Sequence, residues 1–145
     1  MTSERLLEAP LTRSIIGAFY EVYNTLGFGF LEAIYENALE RELTSRGHIV
    51  RREVPVHIHY KEAEIGLHRL DFIVDQKVVV ETKSTAELPK FARRQLLNYL
   101  RATNLEVGLL LHFGPEARFY RTVSETGAGN PFDPPSPHYP IRSGA

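Results

Sequence analysis

The stretch Arg69-Leu70-Asp71-Phe72-Ile73-Val74-Asp75-Gln76-Lys77-Val78-Val79-Val80-Glu81-Thr82-Lys83-Ser84 decides how this chain is read. Two runs dense in β-branched residues flank Asp75-Gln76-Lys77, the pattern of a β-hairpin with arms Glu64 to Val74 and Val78 to Ser84. Inside those arms stand two acids and a lysine. Acidic residues are depleted from strands, and a buried carboxylate is costly unless something compensates it. Side chains alternate across a strand, so Glu81 and Lys83 share a face. A loop of Asp75, Gln76 and Lys77 pairs Val74 with Val78 and therefore Asp71 with Glu81, with Cβ atoms roughly 4.5–5.5 Å apart. A shorter turn would oppose Asp71 to Val80 and, without a bulge, break the constellation. The first register is the expectation.

Facing carboxylates repel, and a divalent cation relieves the repulsion, because Mg²⁺ and Mn²⁺ take hard oxygen ligands. Asp71, Glu81 and the carbonyl of Thr82 are the candidate ligands. Lys83 would then orient or deprotonate a water acidified by the cation. A salt bridge from Lys83 to Glu81 or Asp71 on a solvated sheet face accounts for the same spacing equally well.

On the N-terminal side, Ile15, Ile16, Phe19, Val22, Tyr23 and Leu26 recur at helical intervals, predicting a helix from about Thr12 to Thr25. Gly27-Phe28-Gly29-Phe30 interrupts it, and a second helix is expected from about Leu31 to Arg46, stopped by Gly47. Glu32 falls in the first turn of that helix, where the dipole favours a carboxylate. Ile49 to Tyr60 reads as one or two strands, with Pro55 marking an edge or a bulge. His57 and His59 share a face there, but with no third ligand they read as an exposed pair. Downstream, a helix is expected from Pro89 to Thr103, where Gln95 and Tyr99 lie one above the other. A buried strand (Glu106 to Phe113) and a last short strand (Ala117 to Val123) complete the order α-α-β-β-β-α-β-β. That order makes an α/β domain with a mixed central sheet flanked by helices, because the third helix crosses between two strands.

The 145 residues fit one domain, expected over 1–123. From Ser124 five prolines crowd a segment poor in large apolar residues, so 124–145 reads as a flexible tail whose Phe132, Tyr139 and Ile141 can dock elsewhere. Cysteine is absent, which excludes disulfides and thiolate metal sites and permits the expected cytoplasmic location. No apolar run is long enough to cross a membrane, and Met1-Thr2-Ser3-Glu4-Arg5 lacks the order of a signal peptide. A net charge of −1 means that any phosphate-binding surface is local. The candidates are Arg51-Arg52, Lys90 with Arg93 and Arg94, and Arg101, each of which taken alone reads better as a solvated face.

Taken together these positions resemble a known family. Gly29-x-x-Glu32-x-x-Tyr35 resembles the signature of the small bacterial and archaeal GxxExxY proteins. Leu70-Asp71 with Glu81-Thr82-Lys83 is similar to the core motif of the PD-(D/E)XK nuclease-like superfamily, in which that family is placed. Gln95-x-x-x-Tyr99 resembles the Q-x-x-x-Y helix motif of its recombination-repair branch. Each motif is short, but all stand in the expected order between Leu11 and Phe113; the proline often preceding the first acid is Leu70 here.

The resemblance implies a restriction-endonuclease-like core; the leading expectation is a nuclease dependent on Mg²⁺ or Mn²⁺ that acts on nucleic acid, with DNA favoured over RNA. In that scheme Asp71 and Glu81 hold the metal, Lys83 is the catalytic lysine and Glu32 an auxiliary acid. Gln95 and Tyr99 position the scissile strand or the metal's surroundings, and Arg93 and Arg94 stand on the substrate side. Cutting both strands would call for a homodimer. The competing reading is a nucleic-acid-binding or protein-interaction module on the same fold, with little or no catalysis; a different metal-dependent hydrolase is a third.

Overall fold

A computed structural model describes residues 7–124. Its elements are α1 (Ala9–Leu26), α2 (Glu32–Ser45), β1 (Val50–Tyr60), β2 (Ala63–Val74), β3 (Val78–Lys83), α3 (Ala92–Thr103), β4 (Val107–Phe113) and β5 (Ala117–Val123). The order is the one expected. The strands form one sheet in the sequence β1-β2-β3-β4-β5, antiparallel throughout except for the parallel β3–β4 pair that α3 bridges.

Ile15, Ala18, Phe19 and Val22 of α1 lie on one buried stripe at helical spacing. With Tyr35, Leu39 and Leu43 of α2 they pack on Phe72, Val74, Val78, Val80 and alternate residues of β4. On the opposite sheet face Ala92, Leu96 and Leu100 of α3 cover Val54, Val56, Leu70, Ile73, Val79 and Leu110. Burying each large apolar side chain stabilises the fold by about 1.5–3 kcal/mol, so both faces hold the sheet. α3 seats closely at Gly108, where a Cβ would stand 3.0 Å from Leu96 Cδ1.

α3 begins at Ala92, so Pro89 lies before the helix and not in its first turn; its carbonyl accepts the Ala92 N–H across a turn. Ile49 to Tyr60 gives a single edge strand that carries Pro55, with a register shift at Ile58/His59. Ser124, the first residue assigned to the tail, is buried and its N–H donates to the Glu106 carbonyl at 2.8 Å. Phe132, Tyr139 and Ile141 lie outside the described residues. Among the described residues no helix is long and apolar enough to cross a membrane.

The β2–β3 turn is the loop Asp75-Gln76-Lys77, and Val74 pairs with Val78 as the sequence reading required. Asp75 and Gln76 take left-handed φ angles of 52° and 56°, which turns the chain sharply enough to keep that register. A second irregularity was not anticipated. Val50 faces the α1/α2 layer whereas Val54 faces α3, and Phe72 and Leu70 differ in the same way. Residues two or four apart in a regular strand share a face, so alternation inverts in both strands. The inversion sits at Glu53, with φ 55°, and at Asp71 opposite it, between the pairs Arg52↔Phe72 and Val54↔Leu70. Asp71 is therefore placed where the sheet changes faces.

Candidate active site

The backbone ladder between β2 and β3 stops at Phe72↔Val80. Beyond it carboxylates take over. The Asp71 N–H donates to Glu81 Oε2 at 3.0 Å, and the Thr82 N–H donates to Asp71 Oδ2 at 2.8 Å. Asp71 and Glu81 thus meet, though through carboxylates and not as the backbone pair on a shared face that the register predicted, each accepting an amide proton from the other strand. The Thr82 hydroxyl, fully buried, lies 2.9 Å from Glu36 Oε2, 3.3 Å from Asp71 Oδ2 and 3.5 Å from Glu32 Oε2. A hydroxyl has one proton to donate, so these acceptors compete for it.

α2 delivers two of the acids. The Tyr35 hydroxyl donates to the Gly27 carbonyl and accepts the Phe30 N–H at 3.2 Å, while its ring stacks on Phe113 at 4.3 Å. That pins the Gly27–Phe30 loop, in which Gly29 has a φ of 117° that suits a residue without Cβ. The loop in turn fixes the start of α2 and hence Glu32. Glu36 lies four residues on, directly above it on the helix. Ligand oxygens of Glu32, Glu36 and Asp71 lie within 4.8 Å of one another. Glu81 is buried beside this trio, its Oε1 turned toward His68 Nε2 at 3.7 Å.

Burial first, and then the charge of Glu81, raise the Asp71 pKa from its ordinary 3.8 to about 7, against the pull of the Thr82 N–H. Glu32 is raised from 4.5 to about 7 by burial and by its hydrogen bond and charge repulsion with Glu36. The Lys83 charge and the Thr82 hydroxyl oppose that rise, which places the Lys83 ammonium within electrostatic reach of Glu32. The Lys83 charge thus acts on the acid that α2 contributes. A donor set made only of crowded, repelling carboxylates fits a hard divalent cation, whose charge would offset the repulsion.

Gln95 is exposed on α3, and among the described residues no hydrogen bond joins it to the acids. Tyr99 is half-buried and stacks face to face on His68, with ring centroids 3.8 Å apart. Arg93 lies over the Tyr120 ring at 4.7 Å, while Arg94 is exposed beside it. Arg52 is not a phosphate ligand in waiting: it pairs with Glu36 at 3.1 Å and Glu40 at 2.8 Å and lies over the Phe72 ring. His57 is exposed and pairs with Glu64 at 2.9 Å.

The sequence reading missed Glu36 and His68, and it read Arg52 as part of a solvated basic face. Glu36 had a signal, its four-residue spacing from Glu32 on one helix face. His68 had none, because the face inversion at Asp71 falsifies any parity count from Glu81.

A search of curated proteins found no match to this chain. Among solved structures it is similar to the crystal structure of SSO0001, with 22% identity, a TM-score of 0.47 and coverage of 81% of this chain; the match spans 59% of that structure's chain. The family model describing the PD-(D/E)XK nuclease superfamily matches residues 9–123. With that match over most of its length, the chain belongs to the PD-(D/E)XK nuclease superfamily.

Proposed function

We propose that this protein is a Mg²⁺- or Mn²⁺-dependent nuclease that hydrolyses phosphodiester bonds, with DNA as its substrate. The observation that carries the reading is the carboxylate cluster at the open end of the β2–β3 hairpin, where ligand oxygens of Glu32, Glu36 and Asp71 lie within 4.8 Å of one another, Asp71 and Glu32 are raised to about 7 and the Lys83 charge acts on Glu32. Asp71, Glu81 and the backbone at Thr82 would hold the cation, with Glu32 and Glu36 closing the same pocket of charge. Bound there, the cation supplies Lewis-acid stabilisation of charge building on the phosphate and lowers the pKa of nearby water. Lys83 Nζ orients the attacking water and offsets phosphate charge. The Glu32 carboxylate takes up the proton that the water releases as the bond to phosphorus forms and the ester oxygen departs.

With a net charge of −1, substrate binding falls to local groups. Arg93, Arg94 and Gln95 form an exposed run at the start of α3 and are assigned to the strand being cut. Placement among the GxxExxY proteins, a cytoplasmic location and dimerisation for double-strand cutting belong to the same reading. The test is cleavage of plasmid and single-stranded substrates with Mg²⁺ or Mn²⁺, beside Asp71→Asn and Lys83→Ala. Cleavage is expected from the native chain and lost in both variants. Activity unchanged in both would overturn the assignment, and a salt-dependent mobility shift without cleavage would point to a binding module instead.

A further inference from the structure

We infer that His68 is a positioning residue, clamped by the Tyr99 ring, that holds the Glu81 carboxylate in place. This rests on the nuclease reading of the site.

His68 Nε2 is inaccessible to solvent and has no hydrogen-bond partner among the described residues. Leaving a buried polar atom unpaired costs about 1–3 kcal/mol, so its surroundings should show what it serves. It faces Glu81 Oε1 at 3.7 Å, slightly beyond a hydrogen bond, and a small movement of either side chain closes the gap. The imidazole plane is already set, because the ring lies at 4° to Tyr99 with centroids 3.8 Å apart.

Glu81 is a long side chain whose rotamers must be restricted if it is to act as a ligand. Its Oε2 is held by the Asp71 N–H at 3.0 Å. Its Oε1 faces His68 Nε2 at 3.7 Å. With Oε2 bonded to the Asp71 N–H and Oε1 brought onto His68 by that small movement, rotation of the carboxylate would be opposed from two strand positions. Tyr99 then works through the face of its ring, and its hydroxyl is not required. Burial first, and the Glu81 charge second, raise the Tyr99 pKa. α3 is thereby coupled to the acid cluster from the opposite face of the sheet to α2.

The test is Mn²⁺ binding to the full chain without substrate, followed by electron paramagnetic resonance or calorimetry. His68→Ala should weaken Mn²⁺ about 10–100-fold, the usual effect of removing a partner that orients a ligand. His68→Gln, which keeps an N–H donor, should recover most of the loss, and Tyr99→Phe, which keeps the ring, should bind as the native chain does. Tyr99→Leu, apolar but ringless, should weaken Mn²⁺ as His68→Ala does and decides the matter if His68→Ala fails to fold. Native Mn²⁺ affinity in folded His68→Ala or in Tyr99→Leu would overturn the positioning role while leaving the nuclease reading standing. A native chain that binds no Mn²⁺ would overturn both.

Discussion

Asp71 and Asp75 stand four residues apart in one hairpin and experience opposite environments. Burial pushes Asp75 upward, but the Ile49 N–H at 2.7 Å, His48 at 2.8 Å and the Lys77 charge outweigh it and hold the carboxyl below its ordinary range. His48 Nε2 in turn lies 2.7 Å from Ser14 Oγ, so the turn is tied to α1. Asp71 has one amide donor, shares a hydroxyl with two glutamates and faces Glu81, and it is raised to about 7. Asp75 is satisfied by its protein and Asp71 is not. A satisfied acid holds a fold together; an unsatisfied one stores the capacity to take up a cation or a proton. The difference marks the two ends of the hairpin as a structural end and a chemical end.

The sharpest way to break this contrast is by cleavage assay. Asp71→Asn should lower the rate by about a thousandfold, the scale of removing a principal electrostatic group from a reacting centre. Asp75→Asn should leave the rate within about twofold where both are folded, since its partners lie outside the acid cluster. Equal losses in the two variants would erase the distinction.

Denaturant unfolding probes the reverse side. Asp75→Ala should cost about 1–3 kcal/mol by orphaning the Ile49 N–H and His48. Asp71→Asn keeps an acceptor for the Thr82 N–H and removes a repelling charge, so at pH 8 without divalent ions it should unfold no earlier than the native chain. A marked loss of stability there would show that Asp71 is a structural acid after all.

The pH dependence carries a definite sign. Asp71 and Glu32 have folded pKa values near 7 against ordinary values of 3.8 and 4.5, so between those limits the folded state holds more protons than the unfolded one. Stability then falls as pH rises through that window. Melting curves of the metal-free chain should move to lower temperature from about pH 4.5 to about pH 7.5, and Asp71→Asn should flatten the trend. Asp75 acts oppositely, its contribution disappearing as pH falls through its depressed pKa. The smallest effect concerns Arg94: Arg94→Ala should weaken DNA binding evenly across sequences and reduce the salt slope by about one unit. An unchanged slope would remove Arg94 from the phosphate-binding surface.

How much of this was legible follows from where each residue's partners lie. The hairpin, its loop and the meeting of Asp71 with Glu81 could be read because they depend on local spacing and on β-branched density in the arms. α1, α2, β4 and β5 were legible for the same reason, as periodic apolar patterns with clear stops. The start of α3 was not, because Pro89 suits a helix entry and only the turn to Ala92 shows that it precedes one. Glu36 was half legible, through its spacing from Glu32. Arg52 was misread because an arginine pair in a strand looks solvated until Glu36 and Glu40 are brought over it from α2. His68 was hidden by the inversion at Glu53 and Asp71, a backbone event at non-glycine residues with no composition signal.

The amides of Asp71 and Thr82 complete the β2–β3 pairing through carboxylates and not carbonyls. A carbonyl keeps its dipole whatever the solution contains, but a carboxylate changes its charge when it gains a proton or a cation. These amide protons are therefore resident spectroscopic gauges of the acid cluster. Their nuclear magnetic resonance positions and solvent-exchange rates should track occupancy of the cluster in the unmodified protein, while the Val78–Val80 amides one turn of ladder away stay still.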